Sequence, residues 1–232
     1  MFVALDKLRP DERFSQKVHG DNPVDEAVGN KPRVIHSAPA PDAEKKVNKF
    51  IGPLKGIQGN QNSCYLDATL FAMFALNTYF DQMLLEEVQD EYGRNVQYII
   101  STKIIYPLRQ NTVVSYDPVM ELRRALDKLG KVKGITHAEQ DPEEFLNLLF
   151  KHALRIKPFL RLHRPSGEDI EFFLQLFVEP SEKKIWTVKE MLTKSLNSEG
   201  ISFTKPPLKL IIQLPRYGKD FKVFERIIQK LT

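Results

Sequence analysis

"GIQGNQNSCYLDATLF", residues Gly56 to Phe71, sets a polar, flexible run directly against an apolar one, and Cys64 stands at the junction. Beyond it, Leu66, Leu70, Phe71, Met73, Phe74 and Leu76 surround a helical projection instead of forming a stripe. A helix without a polar face belongs inside a core, so the spacing predicts a buried central helix from Asn62 to Leu85. The Asn and Ser residues ahead of Cys64 suit the cap of such a helix. A thiol attacks as its thiolate, and the unpaired N–H groups and positive dipole end of a helix start favour that anion. The same groups can hold the oxyanion formed when a thiolate attacks a carbonyl. Cys64 is the only cysteine of the chain. By type it reads as a small buried hydrophobe; by position it is a candidate nucleophile.

Working outward, Val88, Tyr92, Val96, Ile99, Ile100 and Ile104 recur at helical spacing between Glu86 and Leu108, with Pro107 expected to limit the C-terminal end. Asp117-Pro118 is expected to open a third helix with Pro at its first position, Val119, Leu122, Leu126 and Leu129 on one face and Gly130 as its stop. Asp141-Pro142 opens a fourth, with Glu144 as capping partner and Phe145, Leu148, Leu149 and Ile156 buried. After Gly167, Ile170, Phe172, Leu174, Leu176 and Val178 alternate with more polar or opposite-face positions, which predicts one strand. Thr187 and Glu190 form a capping box for a helix through Leu196, and "LKLIIQLPRY" from Leu208 reads as a further strand. Helices followed by a sheet make the fold class α+β.

The 232 residues are 42% apolar and 28% charged, ordinary for a globular protein. The net charge of +4 is spread among interleaved acids and bases, which argues against a nucleic-acid surface. A single cysteine makes no internal disulfide and no Cys/His spacing suits a metal, so a reducing compartment, the cytoplasm, is expected and neither metal nor cofactor is. The N-terminus lacks an apolar signal core, and the longest apolar stretch, around Leu66 to Leu76, is too short to span a bilayer, so no membrane partner is expected. Residues 20–49, rich in Pro, Ala, Asp and Lys, read as a flexible linker. Residues 1–19 carry "FVALDKLRPDERF", too short to bury a core alone. Residues 50–232 are the globular part.

Three segments in order resemble the ubiquitin-specific protease family: Gly56 to Phe71 its cysteine box, "QDPEEFLNLLF" (Gln140 to Phe150) its second box, and "LIIQLPRYGKDF" (Leu210 to Phe221) its strand box. Asp67, the Asp-Pro-Glu-Glu-Phe-Leu form of the second box and the tail of the third resemble one branch of that family, in which the catalytic domain follows CAP-Gly modules. Residues 1–19 resemble the end of such a module.

The resemblance implies a papain-like fold of thumb, palm and fingers, with residues 50–232 as its N-terminal part and the sheet incomplete. It implies Cys64 as the nucleophile and hydrolysis of the bond after ubiquitin's C-terminal glycine. Ubiquitin and polyubiquitin chains would be the partners, with signalling adaptors as further ones. The branch implies lysine-linked signalling chains or linear chains as substrate, in negative regulation of inflammatory (NF-κB-type) signalling. Many family members carry an oxyanion asparagine five residues before the nucleophile; here that residue is Gly59, and Asn60 and Asn62 are the shifted candidates. The family's base histidine and its orienting residue have no counterpart, since His19, His36, His137, His152 and His163 lie in other contexts. Three readings therefore stand: a thiol-dependent deubiquitinase represented by part of its domain, a catalytically dead ubiquitin-binding or interaction fragment, and a helical scaffold with a buried structural thiol.

Overall fold

The computed structural model describes residues 48–52, 54–177 and 186–214, and the backbone of 227–228. The segment 1–19 and the linker up to residue 47, with His19 and His36, lie outside the described residues. Two compact units meet along the chain between Lys157 and Pro158.

In the first unit, β1 (Gly56–Ile57) pairs in parallel with β2 (Val113–Val114). A polar turn then leads into α1 (Cys64–Phe74), which buries Tyr65, Leu66, Asp67, Thr69, Leu70, Met73 and Phe74. The apolar ring of residues thus makes a core helix, but it stops at Phe74 and not at Leu85. Arg109 is the cause. Its Nε–H donates to the Phe74 carbonyl at 2.8 Å and its Nη2–H to the Asn77 carbonyl at 2.9 Å. Asn77 Oδ1 in turn accepts from the Tyr79 N–H at 3.2 Å, closing a local turn that competes with helix. The chain resumes in the short α2 (Gln82–Leu85).

The second helix is capped by Asp90, whose carboxylate accepts from the Gly93 N–H at 2.9 Å, so it begins at Glu91 and not at Glu86. It runs as α3 (Glu91–Tyr98), a π-helical stretch Ile99–Ile105, and α4 (Tyr106–Asn111). Pro107 does not end it. The wider π turn shifts the hydrogen-bond register just where the proline lacks its N–H, and helix continues to Thr112, which adopts φ 61°. Gly93 lets this helix lie close to its neighbour, since a Cβ there would strike Val88 and come within 2.7 Å of the Ala153 carbonyl.

Helix α5 (Tyr116–Asp127) has Ser115 at its N-cap position, without a side-chain capping bond, so Asp117 and Pro118 sit inside its first turn instead of opening it. Gly130, at φ +62°, stops it as expected. Helix α6 (Pro142–Asn147) begins as read: Asp141 accepts from the Glu143 N–H at 2.6 Å and Pro142 occupies the first turn. The capped N–H is that of Glu143, one residue before the expected partner. A π-helical stretch Leu148–Ala153 extends α6 and buries Leu148, Leu149 and Phe150.

In the second unit, β3 (Leu160–Arg164) and β4 (Gly167–Glu171) form an antiparallel hairpin, and β7 (Ser202–Phe203) pairs with the other edge of β3. The alternating run does not continue as one strand. Phe172 and Phe173 are both buried, whereas a straight strand would send them to opposite faces, so the chain bends between β4 and β5 (Leu174–Gln175). Ile170, expected inside, is 53% exposed. Strand β5 pairs in parallel with β8 (Ile212–Gln213), which lies within the run read from Leu208. Val178 and the strand-box residues from 215 to 221 lie outside the described residues.

Strand β6 (Trp186–Thr187) pairs with β9 (Ile227–Ile228) and leads into α7 (Val188–Ser198). The capping box is as read, with Thr187 Oγ1 accepting from the Glu190 N–H and Glu190 accepting from the Thr187 N–H. Leu160, Leu162, Leu174, Val188, Met191 and Ile212 form this unit's core. The whole is a mixed helix and sheet fold.

Candidate active site

Cys64 is the first residue of α1 and its thiol-bearing residue is exposed, although the helix behind it is buried. The first helical bonds are made by the Leu66 and Asp67 N–H groups to the Ser63 carbonyl, at 2.9 and 3.0 Å. The N–H groups of Cys64 and Tyr65 therefore precede the ladder, at the positive end of the helix. Ser63 is the cap by position, yet its side chain makes no capping bond. Its hydroxyl instead accepts from the Asn60 N–H at 3.0 Å and donates to Asp67 Oδ2 at 2.5 Å.

The turn before Cys64 is unusual in its backbone. Gln61 and Asn62 both lie in the left-handed region, at φ 51° and 60°. Consecutive non-glycine residues there persist only where surrounding contacts hold them. Arg123 of α5 supplies such contacts. Fully buried, it donates through Nη1 to the Asn60 and Gln61 carbonyls at 3.0 and 2.8 Å. Its Nε–H donates to the Ile135 carbonyl and Nη2–H to the Ala138 carbonyl at 3.3 Å, so one guanidinium ties the turn to the 135–138 loop. Tyr65 lies beneath, its hydroxyl donating to the same Ile135 carbonyl at 3.3 Å.

Asp67 carries the other charge near this turn. Burial pushes its carboxyl from the ordinary 3.8 up to about 6, against the lowering effects of the Ser63 hydrogen bond and the Arg123 charge. The folded protein holds this proton more tightly than the unfolded chain, so the group's contribution to stability is greatest below the unfolded pKa and is lost as pH rises through about 6. Asp67→Asn, nearly isosteric and without a titration, should be more stable than the parent at about pH 8 by on the order of 1–3 kcal/mol, and the gap should close toward about pH 4. Urea midpoints across that range test this; parallel curves for the two proteins would refute it.

No protein-family model matches the chain. Curated relatives do. Ubiquitin carboxyl-terminal hydrolase CYLD of Homo sapiens and that of Pongo abelii are each 39% identical to it over an aligned 243 residues, covering 100% of this chain. The mouse CYLD, from Mus musculus, is 38% identical over the same length. The chain is homologous throughout to these CYLD hydrolases. It spans 25% of the length of the relatives it matches.

Against that homology, Asn62 and Asn60 flank the turn as exposed residues. The Asn62 amide donates to the His137 carbonyl at 3.1 Å, and Asn60 Oδ1 accepts from the Gln61 N–H at 2.7 Å. His137 is exposed on the loop that Arg123 holds, its Nδ1 3.2 Å from Thr136 Oγ1. His152 is exposed on the π-helical stretch of the first unit, and His163 is exposed on β3 of the second. Among the described residues no cluster of His, Cys, Asp or Glu could hold a metal ion, and no helix is long and apolar enough to cross a membrane.

Arg123 was not legible as part of the site from residue type alone. The available signal was its place on the buried face of α5, between Leu122 and Leu126, where an unpaired arginine would be costly. Asp67 gave the same kind of signal, a carboxylate inside an otherwise apolar helix.

Proposed function

We propose that the chain is part of a thiol-dependent deubiquitinase in which Cys64 attacks the carbonyl of ubiquitin's C-terminal glycine. The observation that carries this reading is the place of the one cysteine: exposed, at the open end of a buried helix, in a chain homologous throughout to ubiquitin carboxyl-terminal hydrolases. The thiolate sulfur forms a bond to the carbonyl carbon and the carbonyl π electrons move to oxygen. Collapse expels the amine, which takes up a proton, and water releases the resulting thioester. The Cys64 and Tyr65 N–H groups, with Asn60 and Asn62 as side-chain candidates, are the proposed donors to the oxyanion. The reading assigns the general base and its orienting residue to none of the chain's histidines.

In the same proposal residues 50–232 are the N-terminal part of a papain-like ubiquitin-specific protease domain, 20–49 a linker and 1–19 the end of a CAP-Gly module. The substrates are lysine-linked signalling chains or linear chains, the setting is the cytoplasm, and the role is restraint of inflammatory signalling, with signalling adaptors as further partners. The three sequence boxes and the homology along this whole chain support the protease-domain part of this reading.

The test is to treat the purified chain with ubiquitin bearing a C-terminal thiol-reactive group, beside Cys64→Ala. A stoichiometric adduct with the parent and none with the variant is expected. Binding of ubiquitin without an adduct would favour the interaction-fragment reading, which the absence of an assigned base motivates; neither adduct nor binding would end both.

A further inference from the structure

We infer that Asp67 is a positioning residue for the nucleophile: its carboxyl occupies the space a side chain at residue 59 would need and, through Ser63, fixes the turn that presents Cys64. This rests on the reading of Cys64 as the nucleophile.

Three observations meet here. A Cβ on Gly59 would fall onto Asp67 Oδ2 and Ser63 Oγ, so residue 59 must be a glycine while Asp67 stays where it is. Ser63 Oγ passes the carboxyl's hold on to the Asn60 N–H, at 3.0 Å. Asp67 Oδ1 is buried without a hydrogen-bond partner, so the carboxyl is retained at a cost in stability that packing alone would not require. Between the two anchored ends lie the left-handed residues Gln61 and Asn62. Arg123 holds the carbonyl side of this turn and Asp67 holds its N–H side through Ser63. A turn held from both sides delivers Cys64 to the helix end in one orientation. Released on one side, it leaves the thiol folded but misplaced, and small misplacements of a reacting group are costly in rate.

The sulfur of Cys64 is the only thiol, so any thiol modification of the whole chain reads this one site. The decisive comparison is between two uncharged variants. Asp67→Asn retains an oxygen that can accept from Ser63, and Asp67→Ala does not. Asp67→Ala should slow the bond-forming step with the ubiquitin probe about tenfold without changing the apparent affinity for ubiquitin, and Asp67→Asn should restore most of that rate. Gly59→Ala should cost about as much in the parent and clearly less in the Asp67→Ala background, because the clash with the carboxyl has gone and the Ser63 hydroxyl, released from Asp67, is free to turn aside. Near-UV circular dichroism confirms that each variant is folded.

Equal rates for Asp67→Ala and Asp67→Asn, or a Gly59→Ala loss as large in the double variant as in the parent, would overturn the inference. If the parent forms no ubiquitin adduct, the deubiquitinase reading fails. The iodoacetamide alkylation rates of the same variants then decide the positioning role. The same order of rates supports it, and uniform rates reject it.

Discussion

Arg123→Ala is expected to cost the helical unit about 3–5 kcal/mol and to slow adduct formation at Cys64 by more than about tenfold. The guanidinium is 0% exposed and donates to four main-chain carbonyls, those of Asn60, Gln61, Ile135 and Ala138. Hydrogen bonds from a charged donor contribute about 1.5–3 kcal/mol each, and removing the donor leaves carbonyls oriented inward with nothing to meet. Lysine keeps the charge but offers a point donor in place of a planar fork, so Arg123→Lys should recover less than half of either loss. Arg123→Met fills most of the volume and donates nothing. A methionine variant close to alanine in both urea midpoint and probe kinetics would locate the effect in the donors. One that behaved like the parent would show that packing alone sets the turn.

The parts of the fold that could be read in advance are those decided within a few residues. The Asp141-Pro142 start of α6 and the Thr187–Glu190 box each depend on a side chain reaching a main-chain group close to it in sequence, and the Gly130 stop depends on one residue's left-handed φ. What was hidden depends on distant residues. Helix α1 ends at Phe74 because a guanidinium 35 positions away takes its carbonyl. The strand bends at Phe172 and Phe173 because both rings find a core, Phe172 meeting Phe159 edge-on at 5.8 Å, and no rule of alternation anticipates that.

The site divides in the same way. The place of Cys64 at a helix start could be read from its neighbours, and the three-box resemblance agrees with homology along the whole chain. The role of Ser63 could not. A serine before a helix reads as a cap, but its hydroxyl is drawn to Asp67, one helical turn on. Nor could the Arg123 clamp be read, since it joins a turn and a loop some 75 residues apart, as the Asn62 to His137 bond also does.

Asp81→Ala is the second large effect expected, again about 3–5 kcal/mol, which for a domain of this size lowers the melting temperature by roughly 10 °C. Asp81 and Arg109 form a bidentate pair, both contacts 2.7 Å, with side chains only 2% and 3% exposed. Removing the carboxylate strands a buried cation. Replacing both members removes that penalty, so Asp81→Leu with Arg109→Met should cost clearly less than the sum of the single changes, though not nothing, because the Phe74 and Asn77 carbonyls lose their donor. A thermal double-mutant cycle with additive effects would mean that the pair is not coupled. The comparison with Arg123 is the sharper test. Arg109 holds the far end of α1, beyond ten residues of buried helix from Cys64, so Asp81→Ala should lower stability while the folded fraction still reacts with the probe at the parent's rate. If it slows the reaction as Arg123→Ala does, the orientation of Cys64 depends on the whole helix and not on the turn that precedes it.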